Sequence, residues 1–112
     1  MGISTKRIYE EPSRSDGFRV LVDRLWPRGL KKADARLDAW IKEIPPSDAL
    51  RRWFGHDSAR WGEFQQRYFA ELDGIPDVRQ GVLERARNGP VTLLYGARDP
   101  NHNNGVALKC YL

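Results

Sequence analysis

The sequence predicts a small α/β domain in three layers, with a short, mainly parallel sheet flanked by helices. Two uninterrupted apolar runs, Val20-Leu21-Val22 and Val91-Thr92-Leu93-Leu94-Tyr95, are the first indication, because such runs suit strands covered on both faces. Segments of helical periodicity lie between them, and strands separated by helices imply right-handed crossovers and parallel pairing. The length of 112 residues fits one domain over residues 1–112, since domains most often hold roughly 100 to 150 residues. A chain of this size buries about two thirds of its unfolded surface, so it needs neither a disulfide nor a metal to fold.

The first segment, through Ile8 and Tyr9, reads as an edge strand, and Glu11-Pro12-Ser13-Arg14-Ser15-Asp16-Gly17 as a turn-rich loop. Phe18 to Asp23 follows as a buried strand. Leu37, Trp40, Ile41 and Ile44 recur at i, i+3, i+4 and i+7, which predicts a helix from about Asp34, stopped by Pro45-Pro46. Ser47 caps a short helix through Leu50, Trp53 and Phe54, which Gly55 ends. His56-Asp57-Ser58 makes the next turn, with Asp57 or Ser58 as a cap. Trp61, Phe64, Tyr68 and Leu72 mark one face of the longest helix, with Glu63 and Arg67 paired at i, i+4 on its flank. Pro76 suits a first helical turn, and Val78, Val82, Leu83 and Ala86 form a stripe that Asn88-Gly89-Pro90 stops. Asn103 or Asn104 caps a last helix containing Val106, Leu108 and Cys110.

Nineteen Lys and Arg stand against fifteen Asp and Glu, for a net charge of +4. This basic balance favours an anionic partner, although the charges are interspersed and form no block of one sign. The single cysteine, Cys110, cannot close an internal disulfide, and no Cys/His cluster has zinc spacing. No metal or cofactor is therefore expected, and a reducing compartment, the cytoplasm, is. The amino terminus from Met1 to Arg7 lacks the apolar core of a signal peptide, and no run approaches the roughly 20 apolar residues of a membrane span. Membranes are not expected as partners. No Gly-rich phosphate fingerprint is present, which excludes the P-loop and dinucleotide motifs. Ser13, Ser15 and Ser58 lie in turns without a nucleophile elbow, and Cys110 falls on the last helix.

Charge appears where the two apolar runs end, in Asp23-Arg24-Leu25-Trp26-Pro27-Arg28-Gly29 and again in Gly96-Ala97-Arg98-Asp99-Pro100-Asn101-His102-Asn103-Asn104-Gly105. If the two strands run parallel and side by side, both loops open at the carboxyl edge of the sheet, where open α/β folds bind ligands. Asp23, Arg24, Arg28, Arg98, Asp99 and His102 would then line one pocket.

Guanidinium forks grip phosphate or carboxylate with two parallel hydrogen bonds, so Arg24, Arg28 and Arg98 are candidate anion ligands. The alternative for Arg24 and Arg28 is an ordinary ion pair with Asp16, Asp23 or a helix carboxylate. Asp23 would act as a base, hold a ribose hydroxyl or orient an arginine, and Asp99 would serve beside it. Trp26 is a candidate stacking platform, whereas Trp40, Trp53 and Trp61 sit on apolar helix faces as packing residues. His56 and His102 are candidate proton-transfer groups at neutral pH, or else loop anchors. Asn103 and Asn104 open the last helix, whose free amides and positive dipole end favour an anion, unless they merely cap it.

The stretches VLVDRLWPRGL, LRRWFGHDSARWGEFQQRYFAEL and VTLLYGARDPNHNNGVALKCYL resemble the small bacterial YeaO-like proteins, a domain of unknown function. The resemblance runs nearly end to end and implies an α/β domain of about this length with no established activity. It covers Asp23, Arg24, Trp26, Pro27, Arg28 and Gly29, then His56 and Asp57, then Arg98, Asp99, Asn103 and Asn104. Longer relatives carry a cysteine and a Cys-His-Arg run where this chain has Tyr95 and Asn103-Asn104-Gly105, so no thiol, metal or redox chemistry is carried across.

The expected function is that of a cytoplasmic protein binding a small anionic ligand, phosphorylated or nucleotide-like, with any reaction left open. A nucleic-acid-binding module, suggested by the basic balance and four tryptophans, is one alternative. A non-catalytic interaction subunit with the arginines as anchors is another. The oligomeric state stays open.

Overall fold

The computed structural model describes residues 2–112; Met1, where the amino-terminal reading begins, lies outside them. Strands β1 (Ile3–Arg7), β2 (Phe18–Leu21), β3 (Ala39–Trp40) and β4 (Val91–Tyr95) form one sheet in the order β1-β4-β2-β3. Every neighbouring pair is parallel, so the sheet is wholly rather than mainly so. β1 is an edge strand as its mixed composition suggests, and the inner strand β4 is buried at all five positions. Past the ends of β1 and β2 the ladder adds one more bond each, from Ile8 N to the Tyr95 carbonyl and from Val22 N to the Leu94 carbonyl. The loops after β2 and β4 therefore leave the sheet at the same edge.

Side chains alternate across a strand, and here the alternation divides the core in two. Val20, Val22, Val91 and Leu93 join the larger cluster under helices α2 (Asp48–Phe54), α3 (Trp61–Asp73), α4 (Pro76–Asn88) and α5 (Asn104–Tyr111). Leu21 and Leu94 join Ile8 and Ala35, the last residue of helix α1 (Lys32–Ala35), on the other face, where Trp26, Leu30, Leu37 and Trp40 pack against them. The third layer is thus thin.

The helix expected from Asp34 to Ile44 is not formed. α1 ends after one turn at Arg36, which adopts a left-handed conformation with φ 47°, and the chain then pairs with β2 as strand β3. Tertiary contacts override the helical spacing. Asp38 takes the Arg19 N–H on its carboxylate at 2.8 Å and donates its own N–H to the Arg19 carbonyl. Ala39 and Ile41 then pack on the large cluster while Trp40 packs on the small one, which is strand alternation. Trp40 accordingly sits on a strand, not on a helix face.

Arg19 is the largest departure from a simple apolar strand. It is 4% exposed, and its guanidinium bonds Asp16 at 2.5 Å, the Ala35 carbonyl at 2.9 Å and the Arg36 carbonyl at 3.2 Å. Lys6 bonds the other oxygen of Asp16 at 3.1 Å, so β1, β2 and the end of α1 share one charged cluster. Burial alone raises the Asp16 carboxyl, but the Ser13 N–H, Lys6 and Arg19 outweigh it and hold the group below its ordinary value. The neighbouring Gly17, with φ 65°, is required: a Cβ there would meet the Pro90 carbonyl oxygen at 2.2 Å.

Side-chain caps start α2 and α5, whereas α3 and α4 begin without one. The Ser47 hydroxyl accepts from the Leu50 N–H at 3.2 Å and donates to Glu71 at 2.5 Å, tying α2 to α3. Ser47→Ala is expected to cost about 1 kcal/mol, the usual worth of such a cap, read as a lower urea midpoint. Gly55 closes α2 in the left-handed region, and Asp57 caps a 3-10 turn, Ser58–Arg60, that runs into α3. Phe64, Tyr68 and Leu72 are the buried stripe of α3, which is matched in length by α4, and Glu63 pairs with Arg67 on its flank. The Tyr68 hydroxyl donates to the Ile44 carbonyl at 2.6 Å, and burial pushes its phenol far above the ordinary range. Asn103, rather than Asn104, caps α5 by accepting from the Val106 N–H at 2.9 Å.

Candidate ligand-binding cleft

The two charged loops meet through Asp23. One carboxylate oxygen accepts from the Gly96 N–H at 2.7 Å and the other from the Asn104 side-chain amide at 3.1 Å, which joins the loop after β2 to the loop after β4 and the start of α5. Asp23 contacts no guanidinium within ion-pair distance among the described residues, so it holds a loop rather than orienting an arginine. Its carbonyl also takes the Trp40 indole N–H at 2.8 Å. Burial pushes the Asp23 carboxyl above its ordinary value, against the Gly96 and Asn104 bonds and the charge of His56. The approach at Gly96 is close, since a Cβ there would lie 3.2 Å from the Asp23 oxygen.

Between these loops lies a cleft of about 300 Å³. Asp23, Arg24, Trp26 and Arg28 line it from the first loop, His102, Asn103 and Asn104 from the second, and Phe54 and His56 from the end of α2. Arg24 and Arg28 are exposed, and no carboxylate lies within ion-pair distance of either among the described residues. The ordinary ion pair is therefore not their role here. Pro27 is buried and the Tyr9 hydroxyl donates to the Arg28 carbonyl at 2.8 Å, so the arginine backbone is pinned while its side chain is left free. Trp26 is half-buried; its indole N–H donates to the Leu30 carbonyl at 2.8 Å and its ring meets Trp40 edge to face at 5.5 Å. It lines the cleft as a fixed wall.

Arg98 does not share this surface: it is exposed and lies outside the lining, so it does not face Arg28 across the cleft. Asp99 also lies behind the lining. Its carboxylate accepts from the Asn101 N–H at 2.9 Å and contacts His102 Nδ1 at 2.8 Å, and these bonds hold it below its ordinary value. With Nδ1 engaged by a carboxylate, the His102 ring orientation is set and Nε2 is left as its second polar atom. The Trp61 ring meets that imidazole edge to face at 5.2 Å.

His56 is held in a left-handed conformation at φ 57°, a geometry that costs a non-glycine residue roughly 1 kcal/mol. It lines the cleft, which its place after Gly55 does not announce. Phe54, Phe64, Tyr9 and Arg51 also line the cleft and carry no motif that would single them out. Arg51 is paired with Asp48 at 2.7 Å.

Chemically, the cleft offers two free guanidinium groups, an oriented imidazole, a second histidine and an aromatic wall. Among the described residues no Ser, Thr, Cys or Lys lines it; its titratable side chains other than arginine are Tyr9, Asp23, His56 and His102. Among the described residues no group of three or more His, Cys, Asp or Glu is placed to hold a metal ion, and no helix is long and apolar enough to cross a membrane.

Residues 2–112 match the family described as the inactive DUF488-N3 subclade. The uncharacterised protein YeaO of Escherichia coli is 42% identical over 112 residues, all of this chain and 97% of the relative. Uncharacterised proteins of Mycobacterium tuberculosis and Mycobacterium bovis are 46% identical over 70 residues, 62% of this chain and 59% of each relative. No solved structure matches the chain. An end-to-end family match and a full-length relative together assign the chain: it belongs to the inactive DUF488-N3 subclade.

Proposed function

We propose that this protein binds a small phosphorylated or nucleotide-like anion in the cleft at the carboxyl edge of its sheet, and that it holds the ligand without turnover. The observation that carries this reading is the pair of exposed guanidinium groups, Arg24 and Arg28, that line the cleft with no carboxylate partner among the described residues. Two such forks hold an oxyanion by parallel charge-assisted bonds. Asp23 disfavours an anion at the floor, so the charged end of the ligand sits at the arginines. Its body lies toward Trp26 and Phe54, with hydroxyl or amino donors turned to Asp23 or to Nε2 of His102. The description of the subclade as inactive favours binding over catalysis.

Thermal-shift measurements with inorganic phosphate, nucleoside monophosphates and sugar phosphates test it. A ligand at a hundred times its dissociation constant adds about 2.7 kcal/mol, a rise of roughly 10 °C for a domain of this size. Arg28→Ala is expected to weaken the best ligand at least tenfold, and Arg24→Ala similarly. A wild type that none of these compounds shifts, or equal shifts in wild type and Arg28→Ala, overturns the reading.

A further inference from the structure

At the opposite end of the sheet, where Phe18 and Val91 begin their strands, an almost wholly apolar groove of about 220 Å³ opens between the sheet and α4. Phe18, Val20, Ile41 and Val91 form its floor, and it shares no residue with the cleft. Gly81 stands on its wall in the interior of α4. Glycine is unfavourable there relative to alanine, yet Gly81 has no left-handed backbone and a Cβ would meet nothing within 4 Å. Neither backbone geometry nor packing calls for the missing side chain; its effect is to leave the groove open. One turn further along α4, Arg85 lies on the rim with its guanidinium 4.2 Å over the Phe18 ring, and no carboxylate is within ion-pair distance of it among the described residues.

An apolar cavity of roughly 150 Å³ stays dry and takes up a molecule the size of benzene, so the groove has room for one short hydrocarbon tail. The lone cation at its rim complements a single negative head group. We propose that the groove is a binding site for a small amphipathic carboxylate, its tail on the Phe18, Val20 and Ile41 floor and its head group on Arg85.

Titration calorimetry with octanoate and with octanol, on the wild type and on Gly81→Leu, Gly81→Ala and Arg85→Gln, tests the assignment. Octanoate is expected to bind the wild type several-fold more tightly than octanol, and Arg85→Gln to bind the two equally. Gly81→Leu fills the groove and is expected to weaken both at least tenfold, with Gly81→Ala weakening them less and melting no lower than the wild type. Arg28→Ala, which alters only the cleft, is expected to leave octanoate binding unchanged. Absence of octanoate binding to the wild type, unchanged binding in Gly81→Leu, or loss of it in Arg28→Ala overturns the proposal.

Discussion

Arg19→Met is expected to remove about 3 to 5 kcal/mol of stability, the usual loss when one partner of a buried ion pair is deleted, from a domain whose total is of the order of 5 to 15 kcal/mol. Methionine keeps most of the apolar stem but leaves Asp16, 6% exposed, with Lys6 as its cation among the described residues, and leaves the Ala35 and Arg36 carbonyls without their donor. Urea unfolding followed by tryptophan fluorescence reads the loss as a lower midpoint. A variant within about 0.5 kcal/mol of the wild type, the range of ordinary surface substitutions, would show that the cluster contributes little. The acid limb of the stability curve carries an independent signature. Asp16 is held below its unfolded value, so its contribution is present above that value and is lost as pH falls through the lower folded one. With Arg19 gone the folded value moves up toward the unfolded one, and the variant has correspondingly less stability to lose on acidification.

Arg19 also marks the boundary of what the sequence discloses. The apolar runs around it announce two buried strands, and the helices between them imply parallel pairing; that the two lie side by side stayed a condition in the sequence, and β2 and β4 meet it. The partners of Arg19 do not follow, because a charged residue in an apolar run acquires its meaning from the end of a helix sixteen residues away. The segment from Leu37 to Ile44 shows the same limit. Its apolar residues fit a helical spacing, and Ala39-Trp40-Ile41 fits strand alternation equally well, so Asp38 and Arg19 decide between them by tertiary pairing. At the cleft, topology brings the two charged loops to one edge, yet which side chains face inward is set by local bonds. Asp99 turns back on Asn101 and His102 within three residues, and Arg98 beside it stays outside. The left-handed turn that puts His56 on the cleft is equally invisible, since a histidine after a glycine carries no signal of its conformation.

Asp23→Ala is expected to separate binding from folding at the cleft. The substitution removes the acceptor for the Gly96 N–H and the Asn104 amide together, and leaving such donors unpaired costs about 1 to 3 kcal/mol. The loop after β4 is then no longer tied to the loop carrying Arg24 and Arg28, so the affinity for a phosphorylated ligand is expected to fall by more than tenfold even where the variant remains folded. Asp23→Asn isolates the charge. Because burial raises the Asp23 carboxyl in the folded protein, its contribution is fully present below the unfolded value of 3.8 and declines as pH rises through the higher folded value. Asparagine cannot ionise, so the stability of the wild type relative to Asp23→Asn is expected to fall as pH rises across that window and to level off above it. Melting temperatures of both proteins from pH 3 to pH 8 give this difference directly, and a difference that rises with pH would mean that the Gly96 and Asn104 bonds outweigh burial. In that case the folded protein would favour the Asp23 carboxylate over its neutral form, in keeping with an anionic end of the ligand held at Arg24 and Arg28 and away from Asp23.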